Sequence, residues 1–175
     1  MMQAMVQHNG ETRVKRAPFS YRTDPAVPHF TDDRPIIVFD GKCVLCSGFA
    51  QFVMRRDRDS KFRLLAAQSP LGDALYRHFE LDPVNYETYI LLQDGVAYFR
   101  SEAAIRILEG LTLPWRIASI CRICPLPIRD RLYDFVARHR YRWFGKVAYC
   151  QLIPEDMRVT LLDAPSGEGD AHRAA

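Results

Sequence analysis

The sequence predicts an α/β domain in the order β-α-β-α-β-β-α, followed by a short helical C-terminal extension. Three features predict it. Short apolar runs alternate with apolar stripes at helical spacing, the first run passes through a turn straight into a helix, and an Asp-Gly pair joins two later runs.

Residues 1–34 scatter Pro, Asp, His and Arg without sustained periodicity and read as a flexible leader. Ile36-Ile37-Val38-Phe39 is a continuous apolar run, the pattern of a strand buried on both faces. Asp40-Gly41 marks a turn. In the helix beyond it Leu45, Phe49, Phe52 and Val53 fall at i, i+4, i+7 and i+8, one apolar stripe. The charged residues 55–59 end that helix. Residues 62–66 form a second strand, and Ser69-Pro70 opens a second helix with Ser at the cap and Pro at the first helical position. Leu71, Leu75 and Phe79 make its buried face.

Residues 89–92 and 96–99 flank Asp94-Gly95, which tolerates the positive φ of a tight primed turn, so these two runs form a hairpin. Ser101 is placed to cap a third helix, with Ala104, Ile105, Leu108 and Leu111 inward and Gly110 near its end. Two right-handed crossovers would make the first three strands parallel, with the last added antiparallel. That is the thioredoxin arrangement. Two further helices follow. One starts at Pro114 and carries Ile117, Ile120, Cys121 and Cys124 on one stripe. The other starts near Pro127, turns Ile128, Leu132, Phe135, Val136 and His139 to one side, and stops at Gly145. The domain so defined spans residues 35–154, with a tail over 155–175.

A chain of 175 residues is sized for one domain with a core that needs no covalent staples. Its 48% apolar and 26% charged residues are ordinary for a globular protein. A formal charge of +3 gives no argument for a nucleic-acid or membrane partner. Nor does any apolar run approach the roughly 18 residues of a spanning helix. The N-terminal region has Met1, Met2 and Met5 but no apolar core of a secretory signal, so the expected setting is the cytoplasm. Nothing in the sequence demands a cofactor.

In a reducing compartment the five cysteines are catalytic, metal-binding or buried rather than disulfide-bonded. Cys43 and Cys46 form one C-x-x-C, Cys121 and Cys124 a second, and Cys150 stands alone. A cysteine at a helix start faces unsatisfied backbone N–H groups and the positive end of the helix dipole, which favour its thiolate. Cys43 is therefore the expected nucleophile, assisted by the charge of Lys42. Cys46, almost one turn later, is the expected resolving thiol. Asp40 either accepts backbone N–H bonds in the turn or takes part in proton transfer to the pair. Cys43, Cys46 and Asp40 are thus the candidate site residues. Their substrate would be a protein or small-molecule thiol or disulfide.

Cys121 and Cys124, on the same stripe as Ile117 and Ile120, read first as core residues. Two rival functions stay open. Both C-x-x-C pairs together could hold zinc in a non-catalytic module. Alternatively, Arg129, Arg131, Arg138, Arg140, Arg142 and Lys146, interleaved with Tyr133, Tyr141, Trp143 and Phe144, could serve a binding domain on the same fold. The histidines His8, His29, His78, His139 and His172 show no paired spacing.

Asp40-x-x-Cys43-x-x-Cys46 after a buried strand resembles the signature of the DCC family of thiol–disulfide oxidoreductases. The resemblance runs on through Ser101-Glu102-Ala103-Ala104, Pro125-Leu126-Pro127-Ile128-Arg129-Asp130, residues 133–141, Phe144-Gly145 and Cys150. It implies a thioredoxin-like fold and disulfide exchange. Cys121 and Cys124 fall outside that signature. The thioredoxin cis-proline also has no counterpart here, because its slot falls near Glu87-Thr88.

Overall fold

A computed structural model describes residues 16–86 and 88–146. Four short strands, β1 (Ile36–Phe39), β2 (Arg63–Ala66), β3 (Ile90–Gln93) and β4 (Val96–Phe99), form one sheet in the order β2-β1-β3-β4. Helix α1 (Val44–Arg56) links β1 to β2, and α2 (Pro70–His78) follows β2. Beyond β4 come α3 (Arg100–Gly110), a 3-10 segment over Trp115–Ile123, and α4 (Leu126–Phe144). The architecture is the expected thioredoxin-like α/β one.

Alternation along β1 divides the core. Ile36 and Val38 face Leu71, Leu75, Tyr76 and Phe79 of α2 and its C-cap, whereas Ile37 and Phe39 face Ala50 and Val53 of α1 and Ala103 and Ile107 of α3. The sheet is thus covered on both sides. Ser69 caps α2 as expected, its Oγ accepting from the Gly72 N–H at 3.0 Å. The hairpin turn takes its positive φ at both central residues, Asp94 (51°) and Gly95 (75°), as a primed turn requires.

One strand direction differs from expectation. β2 is parallel to β1, but β3 pairs antiparallel with it, Ile37 opposite Leu91. The connection over residues 79–89 brings the chain back to the end of the sheet where β2 finished. β3 therefore starts there and runs the opposite way.

Residues 16–34, within the expected leader, pack on the α2 side of the sheet. Tyr21 is 2% exposed and Val27 is buried beside it. Phe19 donates its N–H to Gly95 O at 2.8 Å, next to the hairpin turn. His78 of α2 stands between Ser20 Oγ, 3.0 Å from Nε2, and Asp24 Oδ2, 2.6 Å from Nδ1. Isolated apolar residues such as Tyr21 give no periodic signal, so only the tertiary contact reveals their role.

Three helical faces also differ. Ser101 does not cap α3, which is capped at Phe99; its hydroxyl donates to Asp130 of α4 instead. In α3 the residues most deeply inward are Ala103 and Ile107, with Ala104 and Leu108 only half-buried. The segment from Pro114 is 3-10 rather than α-helical. It leaves Ile117, Ile120 and Cys121 exposed and Cys124 half-buried, against the expectation of a core stripe. Likewise α4 leaves Ile128, Leu132 and Phe135 exposed and turns Tyr133, Ala137 and Arg140 inward. The reason is polar. That inner face supplies partners for groups that the rest of the domain buries, as the site itself shows.

Candidate active site

The turn between β1 and α1 is held by Asp40. Its Oδ1 accepts the Lys42 N–H at 3.0 Å, and its carbonyl accepts the Cys43 N–H at 3.3 Å. Gln68, just past β2, donates Nε2–H to the same Oδ1 and accepts the Gly41 N–H at 3.0 Å through Oε1. This is the turn-holding role weighed for Asp40. Cys43 thereby becomes the N-cap of α1, and its carbonyl receives the Ser47 N–H at 2.9 Å.

Three residues that the sequence patterns did not single out for the site complete it. Arg140, 3% exposed, donates Nη2–H to Asp40 Oδ2 at 3.1 Å and to the carbonyls of Asn85 at 2.7 Å and Tyr86 at 3.0 Å. The Tyr141 hydroxyl also donates to Asp40 Oδ2. Tyr89 donates its hydroxyl to the Cys46 carbonyl at 2.8 Å, while its own N–H is accepted by Tyr133 Oη at 3.0 Å. For Arg140 and Tyr141 the sequence signal was the basic, aromatic-interleaved last helix, offered there as a binding surface. Tyr89, in the apolar run before Asp94-Gly95, gave no signal for the site. Glu87, in the slot considered for a cis-proline, lies outside the described residues, as does Cys150. Thr88 is described: its carbonyl accepts from Tyr76 and its Oγ1 from the Arg100 N–H.

The two thiols are free and close together, and they differ sharply. Cys43 is lowered to about 6, chiefly because the Cys46 thiol hydrogen-bonds to its sulfur. Burial opposes that shift, while the Cys46 N–H and the Arg140 charge add to it. The cation that favours the Cys43 thiolate is thus Arg140, on the last helix, rather than the exposed neighbour Lys42. Cys46 moves the other way, raised by donating to Cys43 and by burial. Both thiols are covered, Cys43 at 0% and Cys46 at 6% exposure. The backbone of Lys146 forms an antiparallel bridge with that of Cys43 just past the Gly145 cap of α4.

The second cysteine pair does not join the first. Among the described residues no group of three or more His, Cys, Asp or Glu side chains is placed to hold a metal ion. No helix of the described residues is long and apolar enough to cross a membrane.

Comparison with known proteins agrees with this chemistry. A family model described as DCC1-like thiol-disulfide oxidoreductase matches residues 37–146. The chain is 37% identical over 127 residues to the uncharacterized protein YuxK of Bacillus subtilis, covering 73% of this chain and 93% of that protein. It is also 37% identical over 122 residues to the Arabidopsis thaliana DCC family protein At1g52590, chloroplastic, covering 69% of this chain and 71% of that protein. No solved structure matches.

Proposed function

This chain belongs to the DCC1-like thiol–disulfide oxidoreductase family, and from that premise we propose that it exchanges disulfides through Cys43 as attacking thiol and Cys46 as resolving thiol. The Cys43 thiolate attacks one sulfur of a substrate disulfide. That S–S bond breaks, a mixed disulfide forms on Cys43, and the first substrate sulfur leaves as a thiolate that takes a proton. Cys46 then gives up its proton and attacks the Cys43 sulfur. A Cys43–Cys46 disulfide forms, the second substrate thiol departs, and two electrons have passed to the substrate.

One observation carries this reading: Cys43 is the N-cap of α1, and the neighbouring free Cys46 thiol favours its charged form. The arrangement keeps charge on the first thiol and the proton on the second in the reduced protein, which is the division that the attacking step needs. Cys46 gives up its proton only for the resolving step. Asp40 serves as a positioning residue, fixing the turn and anchoring Arg140. The substrate is a protein or small-molecule disulfide, and the setting is the cytoplasm. Because Lys146 pairs with Cys43, a substrate reaches the thiol by displacing that backbone strap.

The test is mass spectrometry of single variants after incubation with an oxidised thiol. Cys46→Ser should accumulate a mixed disulfide on Cys43, and Cys43→Ser should show no turnover. An adduct on Cys46 in the Cys43→Ser protein, with none on Cys43 in the other, would reverse the two roles.

A further inference from the structure

The second C-x-x-C stands where a core pair has no reason to be. Cys121 is exposed and Cys124 half-buried, beside Ile117, Ile120 and Ile123, which are 66%, 57% and 83% exposed. Neither thiol belongs to a metal-ligand cluster among the described residues. The Cys124 N–H donates to the Cys121 carbonyl at 3.2 Å, closing a 3-10 turn. A 3-10 turn rises about 2 Å per residue, so the two Cα atoms stand about 6 Å apart, inside the range of about 4.4–6.8 Å that a disulfide spans. The turn is also held firmly. Arg122, between the two cysteines, binds Glu102 at 2.9 Å and Glu109 at 2.8 Å on α3.

We infer that Cys121 and Cys124 form a second, surface thiol–disulfide couple that exchanges with disulfides independently of the covered Cys43–Cys46 pair. The more exposed Cys121 attacks a sulfur of the incoming disulfide. That bond breaks, the first thiol leaves with a proton, and Cys121 is held in a mixed disulfide. Cys124 loses its proton, attacks the Cys121 sulfur and releases the second thiol. The couple is oxidised by two electrons and the incoming disulfide is reduced to two thiols. Because Cys121 is exposed, a protein-borne disulfide as well as a tripeptide one can reach it.

The full chain carrying Cys43→Ala and Cys46→Ala isolates this couple, so its result does not depend on the role proposed for the first pair. Reduced protein is exposed to oxidised glutathione in one arm and to insulin in the other, then alkylated and cut with trypsin without reductant. Cleavage after Arg116, Arg122 and Arg129 puts the two cysteines in separate peptides, residues 117–122 and 123–129. A disulfide-linked pair of these peptides is expected, and it should vanish in a further Cys121→Ser variant. The arm that yields it faster tells whether tripeptide or protein disulfides are preferred. The same linked peptides are expected from wild type, which covers a misfolded variant. Thiols that stay free, single glutathione adducts without the link, or pairing with Cys150 instead would overturn the inference.

Discussion

Arg140 and Asp40, separated by 100 residues of sequence, form a buried ion pair at the cysteine turn, Nη2 to Oδ2 at 3.1 Å with side chains 3% and 1% exposed. The pair ties the last helix to the first βα turn. Through the carbonyls of Asn85 and Tyr86 it also ties in the loop that precedes β3.

Removing one member should cost far more than removing both. Arg140→Met leaves the Asp40 carboxylate buried without its cation, and a loss of about 3–5 kcal/mol in urea unfolding is expected. Adding Asp40→Asn should recover part of that loss. Additive losses in the double-mutant cycle would show that the two residues do not interact. The Arg140→Met protein should also need a higher pH to react at Cys43, because a cation that favours its thiolate has gone.

Alkylation of Cys43 should rise through a midpoint near pH 6, with Cys46 unreactive over the same range. The same shift links to stability. Cys43 ionises more readily folded than unfolded, where a thiol titrates near about 8.5, so the unfolded chain binds the extra proton between those values. Stability of the reduced protein should therefore gain from Cys43 as pH rises from 6 towards 8.5, and lose that gain as pH falls through 6. Comparing wild type with Cys43→Ala by denaturant melts across this window isolates the contribution. Equal pH dependence in the two proteins would contradict it.

Gly145 ends α4 at φ 85° and ψ 175°, a conformation open almost only to glycine, and Lys146 then bridges to Cys43. Gly145→Ala meets no neighbouring atom within 4 Å, so its effect is backbone strain alone, on the order of 1–3 kcal/mol. Relief of that strain pulls the strap off the thiol. Faster alkylation of Cys43 at fixed pH is the expected outcome, and an unchanged rate would mean that the strap does not limit access.

The N-terminal packing should loosen in acid. The hydrogen bond from His78 holds the Asp24 carboxyl below its usual value of 3.8. A lowered carboxylate stabilises the fold above its unfolded pKa, and this support is lost as pH falls through the folded value. Hydrogen exchange at Tyr21 should quicken over that range in wild type. In Asp24→Asn it should be fast already at neutral pH, and slow exchange there would assign the anchoring to other contacts.

The sequence by itself determined the order of elements, the Ser69 cap, the primed Asp94-Gly95 turn and the placing of Cys43 at a helix start. Each of these is set by residues within one turn of each other, so local pattern and local conformational preference suffice. Tertiary structure alone decided what lies between distant segments. The direction of β3 followed from where the connection over residues 79–89 returned the chain. The apolar stripe of α4 suggested burial of Ile128, Leu132 and Phe135. The face that turned inward instead carried Tyr133, Arg140 and Tyr141, because the Tyr89 amide, the loop carbonyls and Asp40 required partners once buried. Apolar spacing records which side of a helix avoids water. It does not record which polar groups elsewhere in the fold will need that helix, and those groups placed Arg140 beside the cysteines.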